Sequence, residues 1–151
     1  MLSSTRVAGK PAEPAYYGAD DDTYINEVDD AGNSITLRMT VAPHHINSMG
    51  TLDEGLVATI ADNNTSVLLA THSIAFHPER IPVSVSVCLN VQAIAPIEPN
   101  TDIDIICSVT NPKLANPHAT AVFCDAENPD IIYAIASHTK HTKDVFQTGK
   151  L

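Results

Sequence analysis

Apolar and polar residues alternate in five segments of this chain, and a two-residue period is typical of half-buried β-strands. The first segment, residues 34–43, places Ile35, Leu37, Met39 and Val41 on one face. Three later segments show the same period, and turns rich in proline and asparagine separate them. They span residues 101–110, 118–126 and 131–141.

The most regular alternation lies in the remaining segment, residues 83–95. It predicts a strand with one apolar and one polar face. A polar strand face is ordinarily solvent-exposed, so a serine on it is no evidence of a site by itself. The apolar face would hold Val83, Val85, Val87, Leu89 and Val91, and the polar face Ser84, Ser86, Cys88 and Asn90.

Between Leu52 and about Thr71 the pattern becomes helical, and its apolar residues surround the helix axis. This predicts a buried central helix, interrupted by the polar run DNNTS at residues 62–66. Polar groups inside a buried helix either form a satisfied internal network or line a site. The apolar residues are Leu56, Val57, Ile60, Val67, Leu68 and Leu69.

The predicted order is one strand, one long helix and four strands at the spacing of a meander. An antiparallel sheet wrapped around the helix would bury the helix on all sides, which gives an α+β fold. Residues 1–22 mix proline, glycine, alanine and acids without either period, so we expect a mobile N-terminal arm. Residues 23–151 would form the domain.

Composition and charge narrow the class of protein. A chain of 151 residues has room for one sizeable core, and no apolar run is long enough to cross a membrane. A net charge of -10 argues against binding nucleic acid through its phosphates. The cysteines Cys88, Cys107 and Cys124 form no closely spaced pair and are interpreted as buried thiols of a reducing compartment. We expect a cytoplasmic protein, with mitochondria as the alternative.

Residues 45–63 read HINSMGTLDEGLVATIADN, residues 85–90 read VSVCLN, and residues 138–141 read HTKH. With these motifs and a proline at position 96, residues 34–142 resemble the hotdog-fold acyl-CoA thioesterases of the thioesterase superfamily member 2 and phenylacetate-pathway type. The resemblance implies a hotdog fold. It also implies active sites shared across a dimer interface, often within a tetramer.

The same resemblance implies roles for individual residues. Asp62 would act as general base or nucleophile, Asn47 would hold the substrate or the water, and Ser86 would assist. His45 and Gly55 belong to the matched motif and are candidate substrate-binding residues. Lys113 and Lys140 are the candidate partners of coenzyme A phosphates, although eight basic residues are few for that ligand. A carrier-bound or free acyl substrate would need fewer.

The match breaks at Asp53 and Glu54, where the family reads His-Gly. The family's glycine N-H is thought to polarise the thioester carbonyl, and a carboxylate there would repel the developing negative charge. The structural alternative is a capping box, with Thr51 as the N-cap residue and Glu54 reaching back to it. Acids in a first helical turn also gain from the helix dipole.

Three functions therefore stay open from the sequence. The first is hydrolysis of an acyl thioester, a coenzyme A thioester being a candidate substrate, with Asp62 activating water and no resident cofactor. The second is proton transfer by Asp62, Asp53 or Glu54 during dehydration, isomerisation or cyclisation of a small metabolite, as in secondary metabolism. The third is an inactive ligand-binding module. No metal is expected, because residues one or three apart on a strand, as in His44-His45 and His138-His141, face opposite sides.

Overall fold

A computed structural model describes residues 23–29, 31–76, 84–110, 112 and 116–142. The predicted N-terminal arm, residues 1–22, lies outside the described residues. The described elements form one antiparallel sheet and one long helix. They are β1 (Thr23–Val28), β2 (Ser34–Thr40), a short 3-10 helix (Pro43–His45), α1 (Glu54–Phe76), β3 (Ser84–Ala93), β4 (Asp102–Thr110), β5 (His118–Asp125) and β6 (Ile132–Thr142).

The six strands are ordered β1-β2-β4-β5-β6-β3. The five strands predicted from alternation are all present, and the predicted pattern of β2 is confirmed, since Leu37, Met39 and Val41 are buried. The sequence reasoning missed β1. A register shift between Ile25 and Glu27 breaks the two-residue period of that strand, so alternation could not reveal it.

The core lies between the inner face of the sheet and one side of α1. The inward positions of β5 and β6 are filled mainly by alanine, which leaves room for the helix to pack against the sheet. The buried residues of this layer are Ile103, Ile105, Cys107, Ala119, Ala121, Phe123, Ala134 and Ala136 from the sheet, and Val57, Ile60, Ala61, Leu68 and Leu69 from the helix.

The expectation that α1 is buried on all sides is wrong for the single chain. Val67 is 56% exposed, and Asn63 and Thr71 on the same side of the helix are exposed as well. The reason is that the sheet covers only one side of the helix. The helix also continues to Phe76, beyond the predicted end near Thr71.

The two faces predicted for residues 83–95 are also wrong, because β3 contains a bulge. Pairing with β6 shifts between Ser86 and Cys88, so Val87 has no partner of its own. Val85 and Val87 are 60% and 62% exposed. The expectation that all three cysteines are buried fails at this strand, since Cys88 is exposed, whereas Cys107 and Cys124 are buried. Burial raises the pKa of the Cys107 thiol to about 12.

Candidate active site

Asp62 lies in the polar run of α1, where its carboxylate meets side chains from two strands. Oδ1 of Asp62 lies 3.2 Å from Ser86 Oγ on β3, 3.3 Å from His138 Nε2 and 3.5 Å from Lys140 Nζ, the last two on β6. The Asp62 side chain is 41% exposed, whereas His138 and Lys140 are buried. One carboxylate oxygen that solvent can approach is therefore in contact with a hydroxyl, an imidazole and an ammonium.

The bulge in β3 explains why Ser86 reaches this position. Paired residues of an antiparallel sheet share a face, and Ser86 pairs with the buried Lys140 while Leu89 pairs with the buried His138. Without the extra residue at Val87, Ser86 and Leu89 would face opposite sides of the strand. The bulge lets one strand present both a hydroxyl and an apolar core residue to the helix.

The inward face of β6 changes character along its length. Ala134 and Ala136 are buried against α1, and the next two inward residues are the buried His138 and Lys140. The sequence reasoning did not single out His138 as a site residue. The signal was available, because the same two-residue period that puts the two alanines in the core also puts the histidine and the lysine there.

Lys140 is part of this cluster. Its Nζ donates to Ser66 Oγ at 2.6 Å and to Ser86 Oγ at 3.3 Å, and it forms the ion pair with Asp62. These partners compensate for the burial of an ammonium group. The sequence suggested Lys140 as a phosphate contact, and the structure instead places it beside the candidate base. Lys113, the other candidate, lies outside the described residues.

The surroundings of His138 keep its imidazole neutral. Burial lowers the pKa of His138 below its ordinary value of 6.5, the Lys140 ammonium and His118 lower it further, and the Asp62 carboxylate opposes them. Because the pKa is below 6.5, His138 is neutral at pH 7 and takes a second proton only on acidification.

We name Asp62, Thr65, Ser66, Ser86, His138 and Lys140 the Asp62 cluster.

Asn47 lies in a separate turn that leads into α1. Its Oδ1 accepts from the N-H of Met49 at 2.8 Å and of Thr51 at 3.3 Å. Its Nδ2 donates to Thr51 Oγ1 and to Glu54 Oε2, both at 3.2 Å. The amide that the resemblance assigns to the substrate is thus in contact with the carboxylate of Glu54. We name residues 47–54 the Asn47 turn.

Asp53, and not Thr51, caps the helix, so the predicted capping box is wrong. Asp53 Oδ1 accepts from the N-H of Leu56 at 3.0 Å, and the helix begins at Glu54. Thr51 instead pairs with Asn47 in the turn. A Cβ at Gly55 would lie 2.9 Å from Asp53 Oδ1, so glycine at that position leaves space for the cap.

His45 is buried and holds the turn against the start of the helix. Its Nδ1 accepts from the N-H of Ala42 at 3.0 Å, and its carbonyl accepts from the N-H of Asp53 at 2.9 Å. Gly55 is exposed beside this turn. The structure therefore gives His45 a structural place, while Gly55 remains accessible as a candidate substrate contact.

The Asp62 cluster and the Asn47 turn are separate within one chain. Asp62 follows Glu54 by eight positions of the helix, which is about 12 Å along the axis. A cavity of about 260 Å³ adjoins the turn. It is lined chiefly by apolar residues, among them Val57, Ile94, Pro96 and Ile97, together with Glu54 and Tyr133.

Two further features of the described residues concern metals and membranes. No group of three histidine, cysteine, aspartate or glutamate side chains is arranged there to hold a metal ion. None of the helices in the same part of the chain is long and apolar enough to cross a membrane.

The sheet, the single long helix and their order define the hotdog fold, as the sequence predicted. Solved structures with this fold include thioesterase superfamily member 2 from zebrafish, with a TM-score of 0.71 and 22% identity over 86% of this chain and 88% of that one. The mouse protein gives 0.67 and 23% identity, covering 80% and 82%. A hypothetical thioesterase from Streptococcus pneumoniae, solved with coenzyme A, gives 0.68 and 10%, covering 82% and 90%. No protein-family model and no curated protein sequence matches the chain.

Proposed function

We propose that this protein hydrolyses an acyl thioester and that Asp62 is the general base. The observation that carries the proposal is the Asp62 cluster, in which a partly exposed carboxylate lies within 3.5 Å of Ser86, His138 and Lys140 at a polar break in an otherwise apolar helix. The structural neighbours described above are named thioesterases, which supports the same chemistry at the level of the fold.

The carboxylate has the charge and the access that a general base needs. The three contacts described above are all made by Oδ1, so Oδ2 accepts a proton from water as that water attacks the acyl carbonyl. When the tetrahedral intermediate collapses, the carbon-sulfur bond breaks and the protonated Asp62 returns its proton to the leaving thiolate. The products are a carboxylic acid and a thiol, and Asp62 is again ionised.

Stabilisation of the carbonyl oxygen falls to the Asn47 turn. The first N-H groups of α1 have no carbonyl partner within the helix, and a helix N-terminus favours negative charge. Asn47 Nδ2 can add a donor once it leaves Glu54. Because the turn and Asp62 are about 12 Å apart along the helix, one chain does not supply both halves of this site.

A homodimer with shared sites, the arrangement expected from the resemblance, accounts for that separation. β3 is an edge strand of ten residues, and it exposes Val85 and Val87. A long apolar edge readily pairs with another strand, and pairing of two β3 strands would bring two copies together next to Ser86. In the proposed dimer, the Asn47 turn of one subunit faces the Asp62 cluster of its partner. Two such dimers would give the expected tetramer.

The carrier of the acyl group is coenzyme A or a carrier protein. Coenzyme A brings several negative phosphate charges to a chain whose net charge is -10. Lys140 is buried in the Asp62 cluster and does not offset those charges at the surface. This electrostatic balance favours a carrier-bound acyl group over coenzyme A.

The contact between Asn47 and Glu54 favours one alternative function. Glu54 Oε2 occupies the donor that would otherwise bind the acyl oxygen, and a carboxylate at this position can move a proton to or from a small metabolite. Dehydration, isomerisation or cyclisation would use Glu54 with Asp53 or Asp62. Such a reaction releases no thiol, so the same assay separates the two functions.

Thiol release is the direct test of hydrolysis. Wild-type protein is assayed with a thiol-trapping reagent on acyl-coenzyme A and acyl-pantetheine of several chain lengths. Asp62→Asn should lower kcat by about 100-fold or more, since general bases contribute at least that much. Asp130→Asn, which alters an exposed carboxylate in the loop before β6, is the matched control and should leave the rate unchanged. Absence of thiol release from every substrate would exclude the hydrolase and leave the alternative.

A further inference from the structure

The hydrogen positions within the Asp62 cluster follow from Thr65, which is buried on α1 one turn after Asp62. Thr65 Oγ1 lies 2.6 Å from the carbonyl oxygen of Ala61. A carbonyl oxygen cannot donate, so a contact this short requires that the hydroxyl of Thr65 donate its proton to Ala61. Thr65 has one such proton, and toward any other group its oxygen can only accept.

That assignment fixes the tautomer of His138. The Nδ1 atom of His138 lies 2.7 Å from Thr65 Oγ1. Since Thr65 accepts in this bond, Nδ1 must carry the proton and donate it. The imidazole is neutral at pH 7, because burial and the Lys140 ammonium lower its pKa. Nε2 of the neutral ring is therefore unprotonated and can only accept.

The direction of the Ser86 hydroxyl follows in turn. Ser86 Oγ lies 2.9 Å from His138 Nε2 and 3.2 Å from Asp62 Oδ1, so two acceptors compete for one proton. The contact with His138 is the shorter one. If the Ser86 hydroxyl pointed to Asp62 instead, Nε2 of His138 would lose this donor. Lys140 Nζ approaches both Ser86 Oγ and Asp62 Oδ1, which supports a Ser86 oxygen that accepts from the lysine while donating to the histidine.

We propose that Thr65 is a positioning residue that holds the proton of His138 on Nδ1 and thereby directs the Ser86 proton to His138 and away from Asp62. The carboxylate of Asp62 then receives no hydrogen bond from Ser86. The oxygen of Ser86 is also left as an acceptor, so a water between Ser86 and Asp62 meets two acceptors for its two protons. The consequence for activity rests on the proposed role of Asp62, whereas the tautomer of His138 does not.

The tautomer can be measured in the resting protein by nitrogen NMR. With histidine labelled in both ring nitrogens, the protonated and unprotonated nitrogens of a neutral ring resonate far apart, and His138→Gln identifies the signals of His138. We expect Nδ1 to be protonated in the wild type at pH 7.5. Thr65→Val removes the oxygen that accepts the Nδ1 proton of His138, so the signals should move toward the tautomer protonated on Nε2. Thr65→Ser should retain the wild-type signals.

Thr59→Val is the matched control. Thr59 Oγ1 donates to the carbonyl of Gly55 at 2.9 Å, which is the same helix back-bond at a position outside the Asp62 cluster. This variant should leave the His138 signals unchanged. A wild-type His138 protonated on Nε2, or a Thr65→Val tautomer identical to the wild type, would overturn the proposal, even if the protein hydrolyses thioesters.

Kinetics supply the second readout where thiol release is observed. Thr65→Val should lower kcat by about ten-fold with little change in KM, because one hydrogen bond of the resting site is redirected while the substrate contacts remain. Thr65→Ser should restore kcat. An equal loss in Thr65→Val and Thr59→Val would mean that both act only through the helix, and would contradict the positioning role.

Discussion

The Asp62 cluster and the Asn47 turn are two polar regions on the same helix, and they are built in different ways. The cluster joins α1, β3 and β6 through contacts between residues 24 to 78 positions apart, such as Ser86 with Asp62 and Lys140 with Asp62. The side-chain contacts of Asn47 that close the turn join residues at most seven positions apart, such as Asn47 and Glu54. Thr65, His138 and Lys140 of the cluster are buried, whereas Glu54 in the turn is exposed.

Because of this difference, the polar groups of the cluster are already bonded to one another, whereas those of the turn can be reached by a ligand. In the cluster each donor already faces an acceptor, so the charge and the proton positions are set before a substrate arrives. In the turn, one of the two partners of Asn47 Nδ2 is an exposed side chain, the carboxylate of Glu54. A ligand can replace Glu54 there at small cost, but it cannot replace His138 beside Ser86 without unpairing buried groups.

The largest expected effect is the loss of thioesterase activity when either region is altered, and its partial recovery when the two altered chains form a hybrid dimer. Asp62→Asn and Asn47→Ala are each expected to lose most thioesterase activity. When the two variants are co-expressed with different tags and the hybrid forms at random, half of the dimers contain both chains, and each has one intact site. Activity should therefore return to about a quarter of the wild-type value, measured by thiol release.

The outcome separates a shared site from a site within one chain. If one chain supplied both regions, every chain in the mixture would carry a lesion and activity would stay at the level of the single variants. The control is a mixture in which both chains carry Asp62→Asn, which should remain inactive. Size-exclusion chromatography with light scattering confirms that the hybrids are dimers or tetramers.

A smaller effect should follow from releasing the Asn47 turn. Glu54→Gly removes the carboxylate that binds Asn47 Nδ2 and the negative charge near the developing oxyanion, so thiol release should rise about ten-fold. The double variant Asp53→His with Glu54→Gly should show a smaller rise in thiol release than Glu54→Gly alone, because Asp53 caps the helix. Glu127→Gly, in the exposed loop after β5, serves as control. An unchanged or lower rate would show that Glu54 does not limit hydrolysis and would favour the proton-transfer alternative.

The Asn47 turn and the Asp62 cluster also differ in how far the sequence predicts them. Alternation located five strands and the helix, and the polar run at residues 62–66 pointed to Asp62. The place of Ser86 beside Asp62 was expected only through the resemblance. Periodicity alone put Ser86 on the same face as Cys88. The bulge separates them, because Ser86 pairs with Lys140 and Cys88 with Thr139, and a one-residue bulge leaves no mark in a two-residue pattern.

His138 and Thr65 show a second limit. Thr65 lies in the polar run at residues 62–66 and His138 in the motif HTKH, and neither residue shows by itself which partner it will meet 73 positions away. The helix cap was mispredicted for a different reason, because two neighbouring residues both suit the position. A capping motif was recognised at the correct turn, but Thr51 and Asp53 are both good N-cap residues, and only the structure shows that the helix begins after Asp53.

The smallest expected effect is a change in stability, and it tests which of Thr51 and Asp53 in the Asn47 turn caps the helix. Asp53→Ala removes the acceptor of the Leu56 N-H and should lower the free energy of unfolding by about 1 kcal/mol in urea titrations. Asp53→Asn keeps an acceptor and should be close to neutral. Thr51→Ala loses only a partly exposed contact with Asn47, so its cost should be about 0.5 kcal/mol or less. If Thr51→Ala were the more costly substitution, the helix would begin two residues earlier, and the charge of Asp53 would be free to act on a ligand at the turn.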